Sequence, residues 1–441
     1  MTDFFRQLTA GQRRLFIAAV VLLTVVIGLA AHNRTRKVGD YDIVRRFGAQ
    51  FLGAEPLYTD GLCYNYMPVA GMYWAPLALV SPPVGSVLRS LVGVACLFFS
   101  LRWLNTMTGG RIARPPQVVF ATAATALLLG LHYVVRDLDD GGPHLILLGM
   151  LVGGTYCLWQ GRQVWAAVWF GMAIALKMTP GLILPFLVWK RRFRAAAYTT
   201  VATCLWIASP ALFIGPQAWY EAQSLWVRVA LRAASGTADE NELRIQNQAL
   251  RPALLRWTTA YPAGHALKVD HPLDVPLLDL SPRAASIATN AGLIAVLAAF
   301  AGWTRKAYRN DSDPAQLYEF AALFLLMTLY SPVTWLQHLV WVVPAAWLLA
   351  ESHRGGGRWS TTARAAVGAY LLLSLGLNRE LLGRDNYYML LSWHIHTICQ
   401  LLLLGLLAYA RRHDERAIDQ PMLDASPVET EPATTALPRA A

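Results

Sequence analysis

Between residues 15 and 410 the chain repeats one pattern: a run of apolar residues, then a short loop that often carries arginine or lysine. In hydrocarbon the backbone must satisfy its own hydrogen bonds, and a helix does so within one segment. Runs at or near the roughly 17–25 residues that cross a bilayer therefore predict an all-α polytopic membrane protein. Composition agrees. Hydrophobic residues make up 55% of the chain and charged residues 15%, against about 25% charged in soluble domains. A soluble domain with one anchor is excluded.

The expected spans are 15–31, 84–104, 118–135, 145–159, 164–176, 181–189, 195–214, 284–303, 317–330, 339–349, 365–377 and 387–410. The first follows Arg13-Arg14, as a signal peptide would. Its apolar core exceeds the usual length of about 7–15 residues, so it reads as an uncleaved signal anchor. Residues 67–80 are apolar but hold Pro68 and Pro76, and are expected to dip in without crossing. Two short runs, 164–176 and 181–189, read as broken or re-entrant helices meeting at Lys177-Met178-Thr179-Pro180.

Arg and Lys mark the cytoplasmic loops of a membrane protein. Loops at Arg6/Arg13/Arg14, Arg102/Arg111/Arg114, Arg162, Lys190–Arg194, Arg305/Lys306/Arg309, Arg354/Arg358/Arg364 and Arg411/Arg412/Arg416 can all face the cytoplasm if the chain crosses about twelve times. The net charge of +11 is then a topology signal, and no nucleic-acid partner is expected. Residues 1–410 form one transmembrane domain with external loops at about 32–66 and 215–283 lining a cleft, and 411–441 form a disordered cytoplasmic tail. Of the five cysteines only Cys63 falls in an external loop, and no CxxC occurs, so cysteine carries no expected function.

One loop breaks the charge rule. Arg34, Arg36, Lys37, Arg45 and Arg46 lie on the expected external side, which suits an anionic ligand there. The remaining unusual polar groups fall on the same side. They are Asp40 and Asp42, Arg136 to Asp140 with His144, Lys177, residues 239–247, Thr334 to His338, and Asn378 to Asn386. Polar groups gathered at one face of a bundle are what a membrane-borne polar substrate requires.

Glycosyl transfer from a lipid phosphate needs a base for the acceptor hydroxyl and cations or donors for the leaving phosphate. Asp40 or Asp42 can be the base. Arg34, Arg36, Lys37, Lys177, Arg244, His338 and Arg379 are candidates for the phosphate, and Trp335, Tyr64, Tyr66, Trp74 and Trp226 for stacking on sugar or lipid. Each has a plainer reading. Asp42 is one helical turn from Arg45 and Arg46, where a surface ion pair forms. Asp137, Asp139 and Asp140 can close a helix end, or offer oxygens to a hard cation. Lys177 can snorkel, and His338 can be a hydrogen-bonded core histidine. His394 and His396 point to different faces of a helix and make poor metal ligands.

Several segments in order resemble glycosyltransferase family 87, the polyprenol-phosphate-mannose-dependent enzymes of the GT-C class. They are Asp40 with Phe47 to Gly53 and Pro56-Leu57-Tyr58; Tyr64-Asn65-Tyr66-Met67-Pro68; Ala75-Pro76-Leu77-Ala78-Leu79; Gly171 to Pro180 with Lys190-Arg191-Arg192-Phe193-Arg194; Asn247-Gln248-Ala249-Leu250-Arg251; and Ser331 to His338. The chain departs from the family at Gly141-Gly142-Pro143-His144, where a Gly-Gln-x-Asn is usual.

The resemblance implies a GT-C-type bundle and an inverting transferase, and the charge pattern of the loops is expected to put it in the cell inner membrane with its site on the external, periplasmic side. It implies a polyprenyl-phosphate sugar donor, with mannose the expected sugar, a glycan or glycolipid acceptor among membrane lipids, and no cofactor or metal. Asp40 fits the family's base better than Asp42. His338, Trp335, Lys177, Asn247, Arg244, Arg379 and Tyr66 are the expected substrate-binding residues. The rival readings are a transporter or flippase of lipid-linked glycans, which also uses broken helices, and a ligase moving whole glycans.

Overall fold

A computed structural model of the chain describes residues 2–34, 39–53, 55–58, 66–109, 114–234, 244–260, 275–354 and 359–419. Among these residues the regular structure is helical, without a strand. The helices are α1 (Thr2–Gln7), α2 (Ala10–Arg34), α3 (Asp40–Leu52), α4 (Val69–Ala78), α5 (Pro82–Gly109), α6 (Pro116–Asp140), α7 (His144–Trp159), α8 (Gln163–Leu176), α9 (Ile183–Trp189) and α10 (Phe193–Ala208). They continue with α11 (Ala211–Ile214), α12 (Pro216–Ala234), α13 (Leu250–Thr258), α14 (Pro282–Trp303), α15 (Pro314–Leu329), α16 (Val343–Arg354), α17 (Thr361–Leu371), α18 (Arg379–Leu382), α19 (Arg384–Ser392) and α20 (Ile395–Asp419). Tight 3-10 turns at Thr179–Leu182 and Leu336–Val342 lead into α9 and α16.

Local sequence sets the boundaries. Ser281 and Asp313 cap α14 and α15, each followed by a proline at the first helical position, where the missing N–H has no intrahelical partner to lose. Gly141 ends α6 in the left-handed conformation (φ +79°). A Cβ there would stand 2.7 Å from the Tyr41 Cβ and 3.1 Å from Arg34 Nε, so the turn needs both the backbone freedom and the bareness of glycine.

The chain is an all-α polytopic membrane protein. By length and composition α2, α5, α6, α14 and the segment Phe193–Ile214 can each cross a bilayer, and the bent pair α19–α20 makes a sixth. The outer faces are apolar. Val20, Val21, Leu22, Val25 and Leu29 of α2 and Ile287, Ile294 and Leu297 of α14 are exposed. Shorter apolar helices, among them α7, α8 and α15, are buried in the bundle.

Contacts sort the connections onto two ends. The basic loops meet at one. Arg192 pairs with Asp311, Lys190 and Arg411 both pair with Glu319, and Arg114 pairs with Glu351. Arg354 donates to Thr122 Oγ1 near the start of α6 (2.8 Å), Asp414 accepts from Ser352 and Tyr318, and Gln117 reaches Gln7. At the other end stand the start of α3, the α6–α7 turn, the α8–α9 break and the turn before α16. Here α4 runs antiparallel along α3: Phe51 lies under Gly71, Gly48 against the Trp74 backbone, and Arg45 donates to the Val80 carbonyl.

Two differences from the sequence reading stand out. The tail expected to be disordered from Arg411 is helical to Asp419, because Arg411 is held by Glu319 and Glu415 (both 2.8 Å) and lies over Trp303. Residues 420–441 lie outside the described residues. The expected span 387–410 is bent by 53° between α19 and α20, at His394, which has φ 53°.

Candidate active site

At the end opposite the basic loops, side chains from four helices and two breaks form one buried polar chain. It begins at Arg89 inside α5. Arg89 donates to Asp137 Oδ2 (2.6 Å) and to the Asp137 carbonyl (3.1 Å), and both side chains are wholly buried. Asp137 sits in the last turn of α6, and the Gly141 turn brings the start of α7 back over it. It accepts the backbone N–H of His144 (3.2 Å) and of Leu145 (3.4 Å), and its Oδ1 lies 3.1 Å from His144 Nδ1. The first N–H groups of a helix have no intrahelical partner, so a carboxylate there is well placed.

His144 in turn reaches Lys177. α8 stops at Leu176, Lys177 is extended (φ −148°, ψ 129°), and Thr179-Pro180 opens a 3-10 turn. Pro180 has a fixed φ and lacks an N–H, which favours this break. The break delivers Lys177 Nζ to 3.1 Å from His144 Nε2 and 3.2 Å from His338 Nε2, and the two imidazole rings stand 4.2 Å apart. Burial lowers the Lys177 ammonium to about 8, with the charges of Asp40 and Asp137 pulling the other way.

Asp40 joins through the residue beside His338. Gln337 Nε2 donates to Asp40 Oδ2 at 3.1 Å. α3 is fixed beneath it by the Tyr41 hydroxyl, which donates to the Pro82 carbonyl (2.9 Å). Burial raises the Asp40 carboxyl above its ordinary value, opposed by the Gln337 hydrogen bond and the Lys177 charge. A Cβ on Gly142 would stand 3.5 Å from Asp40 Oδ2 and 2.9 Å from the His144 ring, so the α6–α7 turn lies directly beside both.

Asp40, Lys177 and His338 are thus brought together. Asp42 is not: it pairs with Arg46 on the outer side of α3 (2.7 Å), with the arginine about half exposed. Trp335 is half-buried and its backbone N–H lies 3.3 Å from His338 Nδ1. Arg244 and Arg379 are exposed and make none of the contacts that join the cluster. Arg34, a candidate for phosphate, is instead a staple from α2 to Ser86 Oγ (2.9 Å), Ser90 Oγ (3.3 Å) and the Asp139 carbonyl (3.0 Å). Arg36, Lys37 and Tyr64 lie outside the described residues. Tyr66, Trp74 and Trp226 are buried in the apolar core, the Tyr66 carbonyl accepting from Tyr58 (2.8 Å).

Asn247 is a clamp. Its Oδ1 accepts from Thr334 N (2.8 Å) and Ala249 N (3.2 Å), and its Nδ2 donates to the Pro332 carbonyl (2.9 Å). Gln248 adds its backbone N–H to the Thr334 carbonyl (2.7 Å) and its side chain to Ile245, Leu391 and His396. The pair holds the segment that presents Gln337 and His338. The three carboxylates after Arg136 do not converge. Asp137 faces Arg89 and His144, while Asp139 and Asp140 face Arg136 at 3.5 and 3.1 Å. Among the described residues no group of three or more His, Cys, Asp or Glu is placed to hold a metal ion.

Sequence reasoning passed over Arg89, Gln337 and the coupling of Asp137 to His144. The signal for Arg89 was present, since a lone arginine inside an apolar span is costly unless paired. The cluster offers a buried carboxylate able to take a proton, next to a cation and an imidazole able to hold an anion.

A family model described as glycosyltransferase family 87 matches residues 64–332, leaving Asp40 and His338 just outside its two edges. Over 424 residues the chain is 25% identical to a polyprenol-phosphate-mannose-dependent alpha-(1-2)-phosphatidylinositol mannoside mannosyltransferase of Mycolicibacterium smegmatis, covering 87% of this chain and 88% of that one. Over 361 residues it is 26% identical to a polyprenol-phosphate-mannose-dependent alpha-(1-2)-phosphatidylinositol pentamannoside mannosyltransferase of Mycobacterium tuberculosis, covering 80% and 74%.

Proposed function

The chain belongs to glycosyltransferase family 87, and on that premise we propose that it moves a mannosyl unit from a polyprenyl phosphate to a lipid-linked glycan acceptor, with Asp40 as general base. It is a membrane-embedded hexosyltransferase. The donor and a phosphatidylinositol-mannoside-like acceptor are inferred from the names of the relatives. The inner membrane and the external face are inferred from the basic loops, which gather at the end away from the cluster. One transmembrane domain carries the site.

In this reading the acceptor hydroxyl gives its proton to an Asp40 oxygen as its own oxygen bonds to the sugar C1. The bond from C1 to the phosphate oxygen breaks, and the electron pair leaves with polyprenyl phosphate. One displacement inverts the anomeric centre. Lys177 and His338 hold the phosphate as its negative charge grows, which is where fixed charge lowers a barrier most. Trp335, at the mouth of the same turn, lies next to the sugar, and Asn247 acts by holding that turn. Arg244 and Arg379, exposed at the same end, are left to the acceptor or to lipid headgroups.

The observation that carries this reading is the meeting of Asp40, through Gln337, with the Lys177–His338 pair. The test is a transfer assay in purified membranes with radiolabelled polyprenyl-phosphate mannose and, in parallel, a labelled nucleotide mannose, both with phosphatidylinositol mannosides added. Label entering glycolipid from the polyprenyl donor, and not from the nucleotide sugar in donor-depleted membranes, is expected. Movement of intact lipid-linked glycan across the bilayer without consumption of the donor would replace the transferase by a flippase.

A further inference from the structure

We propose that Asp137 and His144 form a positioning dyad for Lys177, fixing where its N–H bonds point and keeping it charged for the donor phosphate. The inference rests on the reading of Lys177 as a phosphate-holding group and goes beyond it.

The argument is one of donors and acceptors. A neutral imidazole has one N–H and one lone pair. At His144 the choice between the two nitrogens is forced. Asp137 is locked by Arg89 at 2.6 Å and by the N–H groups of His144 and Leu145. Its Oδ1 stands 3.1 Å from Nδ1, and a carboxylate only accepts. The proton of His144 is therefore on Nδ1, and Nε2 presents a lone pair. Only a donor can meet that lone pair, and Lys177 Nζ is there at 3.1 Å.

His338 lacks this constraint. At His338 the Trp335 N–H lies 3.3 Å from Nδ1 and Lys177 Nζ 3.2 Å from Nε2; both neighbours are donors, so the ring's one lone pair accepts from Trp335 in one tautomer and from Lys177 in the other. His144 is thus the fixed acceptor and His338 the adaptable one. A lysine has three rotatable donors on a flexible stem. With one directed to His144, the others are restricted to the side of His338 and Asp40. A carboxylate behind an imidazole orients the ring and raises its basicity. That strengthens the hydrogen bond from the ammonium and opposes the loss of its proton to burial.

A merely structural role would also explain a buried network, so the test needs a readout that folding alone does not move. The charged and titratable groups around Lys177 are Asp40 from α3, Arg89 from α5, Asp137 from α6, His144 from α7 and His338 from the turn before α16. The experiment measures kcat and the KM for polyprenyl-phosphate mannose across pH 5 to 10, with the purified full chain in detergent or nanodiscs. The variants are His144→Leu, His144→Gln and Lys177→Met.

His144→Leu is expected to raise the donor KM and lower kcat/KM about 10- to 100-fold, as loss of an orienting partner does. Its alkaline limb should move to lower pH, because the ammonium has lost its acceptor. His144→Gln, whose amide offers an N–H to Asp137 and a carbonyl to Lys177, should recover most of both. An activity loss uniform across pH, with the alkaline limb unmoved in His144→Leu, overturns the dyad and leaves Lys177 in place. Full transfer by Lys177→Met overturns the reading beneath it, and the dyad falls with it. If His144→Leu does not fold, His144→Asn, whose shorter amide does not span Asp137 and Lys177, carries the same expectation.

Discussion

Replacing Asp40 by asparagine isolates one property of the cluster. Asparagine has the same shape, and its Oδ1 can accept the Gln337 hydrogen bond that Asp40 Oδ2 accepts at 3.1 Å. What is lost is the ability to take a proton. General-base catalysis contributes about 10²–10⁴ in rate, so Asp40→Asn should lower kcat by that factor, a barrier increase of about 3–5 kcal/mol at 1.36 kcal/mol per decade. The donor KM should change little, since the phosphate is assigned to Lys177 and His338. Stability should hold or rise. The raised Asp40 carboxyl shows that burial disfavours its ionised form, and a neutral amide removes that cost. Asp42→Asn is the internal control. It breaks a pair with Arg46 whose side chains are 53% and 31% exposed, and exposed pairs contribute only about 0–1 kcal/mol. Initial rates with polyprenyl-phosphate mannose and melting curves on the same preparations decide. If Asp40→Asn keeps more than about a tenth of the wild-type rate while Asp42→Asn loses a hundredfold, the base is assigned to the wrong residue.

The rate should follow a bell in pH. It rises as Asp40 deprotonates, at a pH above the ordinary carboxylate range because burial raises that group, and falls as Lys177 loses its proton near 8; a kcat/KM profile checks both limbs. Asn247→Ala removes three hydrogen bonds, which at about 1 kcal/mol each should cost about 3 kcal/mol, and the drop in Tm should accompany a loss of activity as the segment carrying His338 loosens. Gly142→Ala places a Cβ 2.9 Å from the His144 ring; displacing that ring should lower kcat/KM about 10- to 100-fold with little change in Tm. Glu319→Gln leaves the buried Lys190 without its carboxylate and Arg411 with Glu415 alone, at a cost of about 3–5 kcal/mol; activity per folded molecule, measured by active-site titration, should be unchanged because this clasp lies at the other end of the bundle.

Much of the architecture was legible because its causes are local. Apolar runs announce helices, and Pro180 after Lys177 announces a break. The arginine-rich loops announce one end of the bundle, and the contacts among Arg192, Asp311, Lys190, Glu319 and Arg411 do gather them there. The site was legible in residue type but not in partnership. Asp40 and Asp42 share the first turn of α3, and nothing within that turn separates them. The distinction comes from Gln337, 297 residues away in sequence. Asn247 reads as a substrate ligand because its segment resembles the family's and falls in an expected external loop. Its hydrogen bonds go to backbone groups of Ala249, Pro332 and Thr334, a pairing no local pattern encodes. Arg89 was hidden for the same reason, its partner being 48 residues on.

The pairing of charges also bears on why Asp40, among several carboxylates, suits the proposed chemistry. Asp137 is held by Arg89, Asp139 and Asp140 face Arg136, and Asp42 faces Arg46. Each is already engaged by a cation, which occupies oxygens that an acceptor hydroxyl would need. Among the described residues of this end, Asp40 is the aspartate hydrogen-bonded by a neutral amide instead. Its carboxylate is therefore held in place without being bound to a cation. The cation of the site, Lys177, is meanwhile tied to imidazoles and not to a carboxylate, so it can meet an arriving phosphate without first breaking an ion pair. Holding base and cation close but not directly bonded to each other is the condition that acid–base transfer onto an anionic leaving group requires. Here it is met by interposing Gln337 on one side and His144 and His338 on the other.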